Sequence, residues 1–161
     1  MRHIFLSMAI LYCLSCSRHK SDNACPDDTY QYKSFANSKI DTQTVNNSYV
    51  TYGITNGDKV VFQYQHIKSI CQLASDGGYT ETVVFELPAG TSNFSVSDHE
   101  FKNINIWYRM SCFCPFVGDQ SIEQGTLQGH RLGTGLWHIQ GSVSIPGKSG
   151  TISINADFPT P

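Results

Sequence analysis

LWHIQGSVSIPGKSGTISINADF, residues 136–158, is the stretch that decides the fold class of this chain. Apolar and polar side chains alternate on both sides of its central Pro-Gly-Lys-Ser-Gly turn, and successive side chains of a β-strand face opposite sides of a sheet. The stretch therefore predicts two β-strands that each bury one face. The predicted inward residues are Trp137, Ile139, Val143, Ile145, Ile152, Ile154, Ala156 and Phe158, and the outward residues are His138, Gln140, Ser142, Ser153, Asn155 and Asp157. Gly141, between two inward residues, indicates a bulge or a close backbone approach.

The two-residue period continues through most of the chain from Thr29 onward. The alternating segments end at turn sequences such as Asn56-Gly57 and Asp76-Gly77, which favour the positive φ of tight hairpins. We expect strands at Tyr30–Phe35, Tyr49–Gly53, Lys59–Lys68, Thr80–Leu87, Asn103–Met110, Ile122–Gly129, Leu136–Ile145 and Gly150–Phe158. Short strands between turn sequences predict an all-β fold, an antiparallel β-sandwich or barrel-like domain of about seven to eight strands.

The N-terminus has the layout of an export signal. Arg2 and His3 precede an apolar run of eleven residues, Ile4–Leu14, and the small Ser15 stands directly before Cys16. The run is too short for a transmembrane helix, which needs roughly 20 apolar residues. A removable signal therefore fits better than a permanent membrane span.

This N-terminus resembles the leader of bacterial lipoproteins that the dedicated lipoprotein signal peptidase cleaves. The match lies at Ser15 and Cys16, whereas Cys13 and Leu14 depart from the family's pattern. The resemblance implies a signal peptide at residues 1–15, an acylated Cys16 and attachment to a membrane of the cell envelope. Ser17, rather than an aspartate, implies the outer membrane where the cell has one. Cleavage without lipid and a hydrophobic terminus without a targeting role remain open alternatives.

The remaining chain divides into a tether and one domain. Residues 16–28 are mostly polar and lack apolar periodicity, so we interpret them as a lipid-anchored tether. Residues 29–161 are expected to form a single β-sandwich domain. Without Arg2, the chain keeps ten Lys and Arg against thirteen Asp and Glu. This mildly negative balance argues against nucleic acid as a partner.

The number of cysteines predicts that disulfides stabilise the domain. With Cys16 assigned to lipid, four cysteines remain: Cys25, Cys71, Cys112 and Cys114. An even number in an exported chain favours two disulfides. On a strand, Cys112 and Cys114 face the same side about 6.6 Å apart, which favours separate partners. We prefer Cys71 with one of them and Cys25 with the other, although the sequence leaves all three connectivities open.

Metal binding is the competing interpretation of Ser111-Cys112-Phe113-Cys114. Thiolates joined by a histidine could hold copper or zinc, and the available histidines are His66, His99, His130 and His138. A free redox pair is a further alternative. The sequence has no second Cys-x-x-Cys besides residues 13–16 of the leader and no His-x-x-x-His motif. Because oxidising surroundings would also compete for the thiols, we predict no metal ligand and no cofactor.

Trp107 is the most unusual outward residue. On the predicted strand, Ile106 and Tyr108 face inward, so Trp107 faces outward between Asn105 and Arg109. An aromatic ring beside an amide and a guanidinium can stack against and hydrogen-bond a sugar ring. The same pattern also occurs where a loop or sheet edge covers a strand.

Other polar residues extend this list of ligand-binding candidates. His138 and Gln140 face outward on their strand, and His130 with Arg131 could form a polar corner. Motifs of hydrolases, zinc proteases and phosphate loops are absent from the sequence. The acidic residues are interpreted as parts of a solvated face; these are Glu81, Glu86, Asp98, Glu100 and Glu123.

Two functional classes follow from these features. The first is a non-catalytic, membrane-anchored module that binds a glycan or a protein. The second is a metal-carrying or enzymatic envelope protein that uses Cys112 and Cys114 with histidines. The absence of catalytic motifs in the sequence favours the first class.

Overall fold

The computed structural model describes residues 28–68, 78–113, 115, 118–133 and 135–161. The predicted leader, the tether up to residue 27, Cys16, Cys25, Cys71 and Cys114 lie outside the described residues. The described part contains ten β-strands and one short 3₁₀ helix, so the all-β prediction is confirmed. The prediction of seven to eight strands was too low.

The described strands and the 3₁₀ helix follow one another without an α-helix. Their bounds are β1 Thr29–Val45, β2 Tyr49–Asn56, β3 Lys59–Lys68, β4 Tyr79–Pro88, β5 Asn93–Ser97, the 3₁₀ helix Asp98–Asn103, β6 Trp107–Cys112, β7 Gln120–Ser121, β8 Gln124–Leu132, β9 Leu136–Ser144 and β10 Thr151–Pro159. Strands β5 and β7 were not predicted, because five and two residues are too short for a clear alternating pattern. A strand was also predicted at residues 103–106, where the structure has the end of the 3₁₀ helix and a connection.

Two antiparallel sheets enclose the main core. The six-stranded sheet has the order β2-β1-β3-β4-β6-β7, and the four-stranded sheet has the order β10-β9-β8-β5. Aromatic and branched side chains from both sheets pack between them. Large and almost fully buried side chains of this core include Phe62, Phe85, Phe158, Ile139 and Leu127 of the sheets and Phe101 of the 3₁₀ helix.

The predicted alternation of β9 and β10 is confirmed. Trp137, Ile139, Val143, Ile145, Ile154, Ala156 and Phe158 are buried, and Ile152 is partly buried against the same core. Gly141 does mark a close backbone approach, because a Cβ atom there would lie 2.1 Å from the Thr126 carbonyl oxygen.

The long strand β1 belongs to two hairpins and bends between them. Its first part pairs with β3, whereas Ser38–Val45 pairs with β2. The register shifts between Phe35 and Ser38, where Asn37 adopts a left-handed φ of 48°. Asparagine tolerates this conformation better than most residues. The bend folds the second half of β1, together with β2, over the outer face of the six-stranded sheet.

This folded-over hairpin nearly closes the six-stranded sheet into a small barrel. The Asp119 N–H donates a 2.8 Å hydrogen bond to the Val50 carbonyl oxygen, which joins the segment before β7 to β2. Inside lies a second hydrophobic cluster, separate from the main core. Its members are Ile40, Tyr52, Val61 and Val84, with Phe35, Ile54 and Trp107 partly buried against them. The fold is therefore a sandwich in which one of the two sheets is barrel-like.

Candidate functional site

Trp107 lies at the start of β6, against the second hydrophobic cluster. It faces away from the main core as predicted, but it is half-buried beneath the folded-over hairpin. Its indole Nε1 donates a 2.8 Å hydrogen bond to Asn105 Oδ1. The indole donor is thus used within the protein.

Four side chains hold the folded-over hairpin by its backbone; we name Glu86, Asn105, Arg109 and Asp119 the hairpin clamp. The Ile40 N–H donates to Glu86 Oε2 at 2.7 Å, and the Ile40 carbonyl accepts from Asn105 Nδ2 at 3.2 Å. Buried backbone groups without a sheet partner require such substitutes. At Ile40 the clamp supplies an acceptor for the N–H and a donor for the carbonyl, because this part of β1 does not pair with β3.

Asp119 and Arg109, the other two clamp residues, bind the backbone of Tyr52 in β2. The Tyr52 N–H donates to Asp119 Oδ2 at 2.6 Å, and its carbonyl accepts from Arg109 Nη2 at 2.6 Å. Arg109 also donates from Nε to Asp119 Oδ1 at 2.7 Å, and its guanidinium lies 4.0 Å from the centroid of the Tyr52 ring. Its hydrogen bond to Asp119 raises the pKa of Arg109, whereas burial raises the pKa of Tyr52 to about 12.

The hairpin clamp corrects the interpretation of Glu86 as part of a solvated face. Its side chain is only 4% exposed and pairs with Lys59 at one end of the barrel. Burial of a carboxylate is tolerated where hydrogen bonds and a cation compensate for lost hydration. At the other end, Arg109 lines a cavity of about 410 Å³ together with Tyr52, Gln63, Gln65 and Thr82.

A second buried acid connects the two sheets. Glu81 Oε1 accepts hydrogen bonds from Tyr108 Oη at 2.9 Å and from Lys148 Nζ at 2.5 Å. Glu81 is therefore not on a solvated face either. Burial raises the pKa of Glu81, but the hydrogen bonds from Lys148 and Tyr108 outweigh this effect and leave the pKa below its ordinary value.

This ion pair also contacts the start of β1. Lys148 stands between β9 and β10, so the pair ties the four-stranded sheet to the six-stranded sheet. His66 Nδ1 lies 3.3 Å from Glu81 Oε2, and His66 Nε2 lies 2.8 Å from Asp28 Oδ2. The contacts together close one end of the sandwich.

The outer face of the four-stranded sheet differs from all these regions. Cross-strand pairing aligns its outward residues in three rows, each crossing β5, β8, β9 and β10. We name these twelve residues the polar face. The rows are Asn93, His130, His138 and Asp157; Ser95, Gln128, Gln140 and Asn155; and Ser97, Thr126, Ser142 and Ser153. All are exposed or partly exposed, and none carries an apolar side chain, Lys, Arg or Glu.

The polar face brings together three of the six ligand-binding candidates. His130 and His138 are direct cross-strand partners, and Gln140 is opposite Gln128 in the next row. Arg131 faces the other side of β8, with its guanidinium 5.9 Å from the centroid of the Trp137 ring. Trp107 and Arg109 belong to the other sheet. The outward direction of His138 and Gln140 was predicted from the sequence, but their alignment with β8 and β5 was not.

Another cavity lies near the 3₁₀ helix. It has a volume of about 880 Å³, and its lining includes His99, Lys102, Glu123 and Gln124. Hydrophobic surface with a few convergent polar groups characterises most small-molecule sites. This lining instead mixes opposite charges at an open rim, so we do not take it as the principal site.

A complete set of metal-ligating side chains is not found in the described residues. No group of three or more His, Cys, Asp or Glu side chains there could hold a metal ion. Cys112 ends β6 opposite Tyr79, whereas His130 and His138 lie on the outer face of the other sheet. Within the ranges that the structure describes, no helix is long and apolar enough to cross a membrane.

Comparison of this chain with protein-family models, curated proteins and solved structures gives no match. The function of this chain is therefore inferred from its own geometry.

Proposed function

We propose that this protein is a non-catalytic binding module that binds an uncharged, hydroxyl-rich glycan across its polar face. The observation that carries the proposal is the composition of the three rows: hydroxyl, amide and imidazole groups, with a single acidic side chain. Side-chain amides and hydroxyls each donate and accept hydrogen bonds. Sugar hydroxyl groups have the same dual capacity, so the two surfaces are complementary.

The size and shape of the polar face suit an extended chain of sugars. Four strands spaced about 4.8 Å apart and three rows about 6.7 Å apart define an area of about 14 by 13 Å. Side chains on neighbouring strands, such as Gln128 and Gln140, stand directly opposite one another. A flat ligand lying on the sheet can therefore contact several rows at once.

A glycan fits this surface better than a protein partner does. Protein interfaces concentrate their binding energy in buried Trp, Tyr and Arg side chains. The polar face contains none of these residue types. A highly charged ligand is equally disfavoured, because Asp157 is its only acidic residue and it has no Lys or Arg.

We further infer that Cys16 carries the lipid anchor and holds the domain at a membrane of the cell envelope. The layout of residues 1–16 supports this inference. An exported domain with glycans within reach is consistent with the proposed ligand. Purified protein from the native host should then lack residues 1–15 and carry fatty acids on Cys16, as mass spectrometry would show.

The proposed location also favours disulfides. Cys112 is opposite Tyr79, which in turn pairs with Lys68. Cys71 follows Lys68 by three positions in the sequence. These placements support a disulfide between Cys71 and one of the two cysteines Cys112 and Cys114. The even cysteine count then leaves Cys25 as the proposed partner of the other.

A glycan array probed with the purified protein tests the proposal. The array includes neutral polysaccharide fragments of bacterial envelopes. Gln128→Arg and Gln140→Arg place long cations in the middle row, and we expect each to weaken binding at least tenfold. Gln43→Arg is the matched control, because Gln43 is exposed on the folded-over hairpin, and it should bind as the wild type does.

Two outcomes would contradict the proposed function. A silent array would show that the polar face does not recognise glycans. Equal loss of binding in Gln43→Arg would show that the site lies elsewhere. Circular dichroism of each variant establishes that the fold is retained.

A further inference from the structure

We propose that His130 and His138 form a two-histidine site for a divalent transition-metal ion, Cu²⁺ or Zn²⁺, at one end of the polar face. Imidazole is a preferred ligand of both ions. This site does not depend on glycan binding, because the geometry of a single row defines it. That row contains Asn93, His130, His138 and Asp157.

The separation of the two imidazole rings suits a shared metal ion. The ring centroids are 5.7 Å apart, and the ring planes are inclined by 54°. An ion about 2.0–2.1 Å from a ring nitrogen lies about 3.2 Å from that ring's centroid. Two rings bound at a tetrahedral angle then have centroids about 5.2 Å apart, and a linear arrangement would give about 6.4 Å. The observed separation of 5.7 Å lies between these limits and is therefore compatible with one ion shared by the two rings.

Asp157 prepares His138 for this role. Its Oδ1 lies 2.8 Å from His138 Nδ1. An ionised carboxylate only accepts hydrogen bonds, so Nδ1 carries the proton and the lone pair of Nε2 is free to bind metal. Metal-binding histidines usually have such a carboxylate or carbonyl partner, which fixes the tautomer and the ring orientation.

Two side chains do not complete a coordination sphere. Because no group of three or more metal-ligating side chains occurs in the described residues, water or an added ligand must supply the remaining positions. We therefore expect an exchangeable ion rather than a permanent structural metal. The incomplete set of protein ligands distinguishes this site from structural zinc sites, which have four protein ligands.

Titration of the purified, tag-free full chain with Cu²⁺ tests the proposal, with electron paramagnetic resonance as the readout. We expect one equivalent of Cu²⁺ with hyperfine coupling to two imidazole nitrogens. His130→Asn and His138→Asn should each weaken binding at least tenfold and leave one coupled nitrogen. Asp157→Asn should weaken binding about tenfold. His99→Asn is the matched control, because His99 is exposed in the 3₁₀ helix.

Two kinds of result would overturn the proposal. The first is the absence of Cu²⁺ binding in the wild type. Equal affinity in His130→Asn and His138→Asn, or equal loss in His99→Asn, would show adventitious binding to surface imidazoles. Calorimetry with Zn²⁺ on the same variants gives a second measurement that does not depend on the copper spectrum.

Discussion

Asp119→Ala is the sharpest test of the hairpin clamp. The Asp119 side chain is 0% exposed and accepts hydrogen bonds from Arg109 Nε, Arg109 Nη2 and the Tyr52 N–H. Alanine removes both carboxylate oxygens. The variant leaves a partly buried guanidinium without its counter-ion and a backbone N–H without an acceptor.

The expected decrease in the free energy of unfolding is the sum of these two effects. Breaking a fully buried ion pair costs about 3–5 kcal/mol, but Arg109 is 31% exposed, so water lowers this part to about 2 kcal/mol. An unsatisfied buried N–H adds about 1–3 kcal/mol. We expect Asp119→Ala to lower the free energy of unfolding by about 3–5 kcal/mol.

Urea denaturation followed by tryptophan fluorescence measures this change, since Trp107 lies against the same cluster. Asp41→Ala is the control, because Asp41 forms an exposed ion pair with Lys39, and its effect should be much smaller. A cost of less than about 1 kcal/mol for Asp119→Ala would refute the clamp, since even the lost N–H acceptor alone predicts more.

Three further predictions concern other parts of the fold. The pKa of Glu81 lies below its ordinary value of 4.5, so its ionisation stabilises the folded state above about pH 4.5, and this stability is lost as the pH falls through the lowered pKa. Lys148→Met should therefore destabilise the protein most near neutral pH and least near pH 3 in urea denaturation; a constant difference would contradict the role of the ion pair. Gly141→Ala should lower the free energy of unfolding by several kcal/mol or prevent folding, because its Cβ would lie 2.1 Å from the Thr126 carbonyl oxygen, and an unchanged thermal midpoint would contradict that contact. Protein exported to an oxidising compartment should contain no free thiols in Cys25, Cys71, Cys112 and Cys114, and four reactive thiols would exclude the proposed disulfides.

The alternation of β9 and β10 could be predicted because each strand has one apolar face and one polar face. Trp137, Ile139 and Val143 on β9 are buried as their spacing requires. The outward direction of His138 and Gln140 follows from the same spacing. Their alignment with β8 and β5 could not be predicted, because strand order and register depend on long-range pairing.

The folded-over hairpin was missed although the sequence contains a signal for it. Residues 60–62 and 83–85 each read Val-Val-Phe, and consecutive apolar residues are typical of strands buried on both faces. Val61 and Val84 are indeed fully buried beneath the hairpin. Only one buried face was predicted for β4, so Glu86 was expected to face solvent.

The roles of the clamp residues themselves could not be read from the sequence. In the sequence, Glu86 and Asp119 resemble ordinary surface acids. Their burial results from the bend near Asn37, which places the backbone of β1 and β2 over them. Trp107 illustrates the same limit, since its outward direction was predicted but its covering hairpin comes from a distant part of the chain. Burial of outward residues depends on tertiary contacts rather than on local period.

Amide chemical-shift mapping with a bound neutral oligosaccharide tests the central claim most directly. We predict that the shifted amides cluster on β5, β8, β9 and β10, with the largest changes around Gln128 and Gln140. Shifts confined to the barrel around Arg109, or the absence of shifts with every glycan tried, would contradict the account.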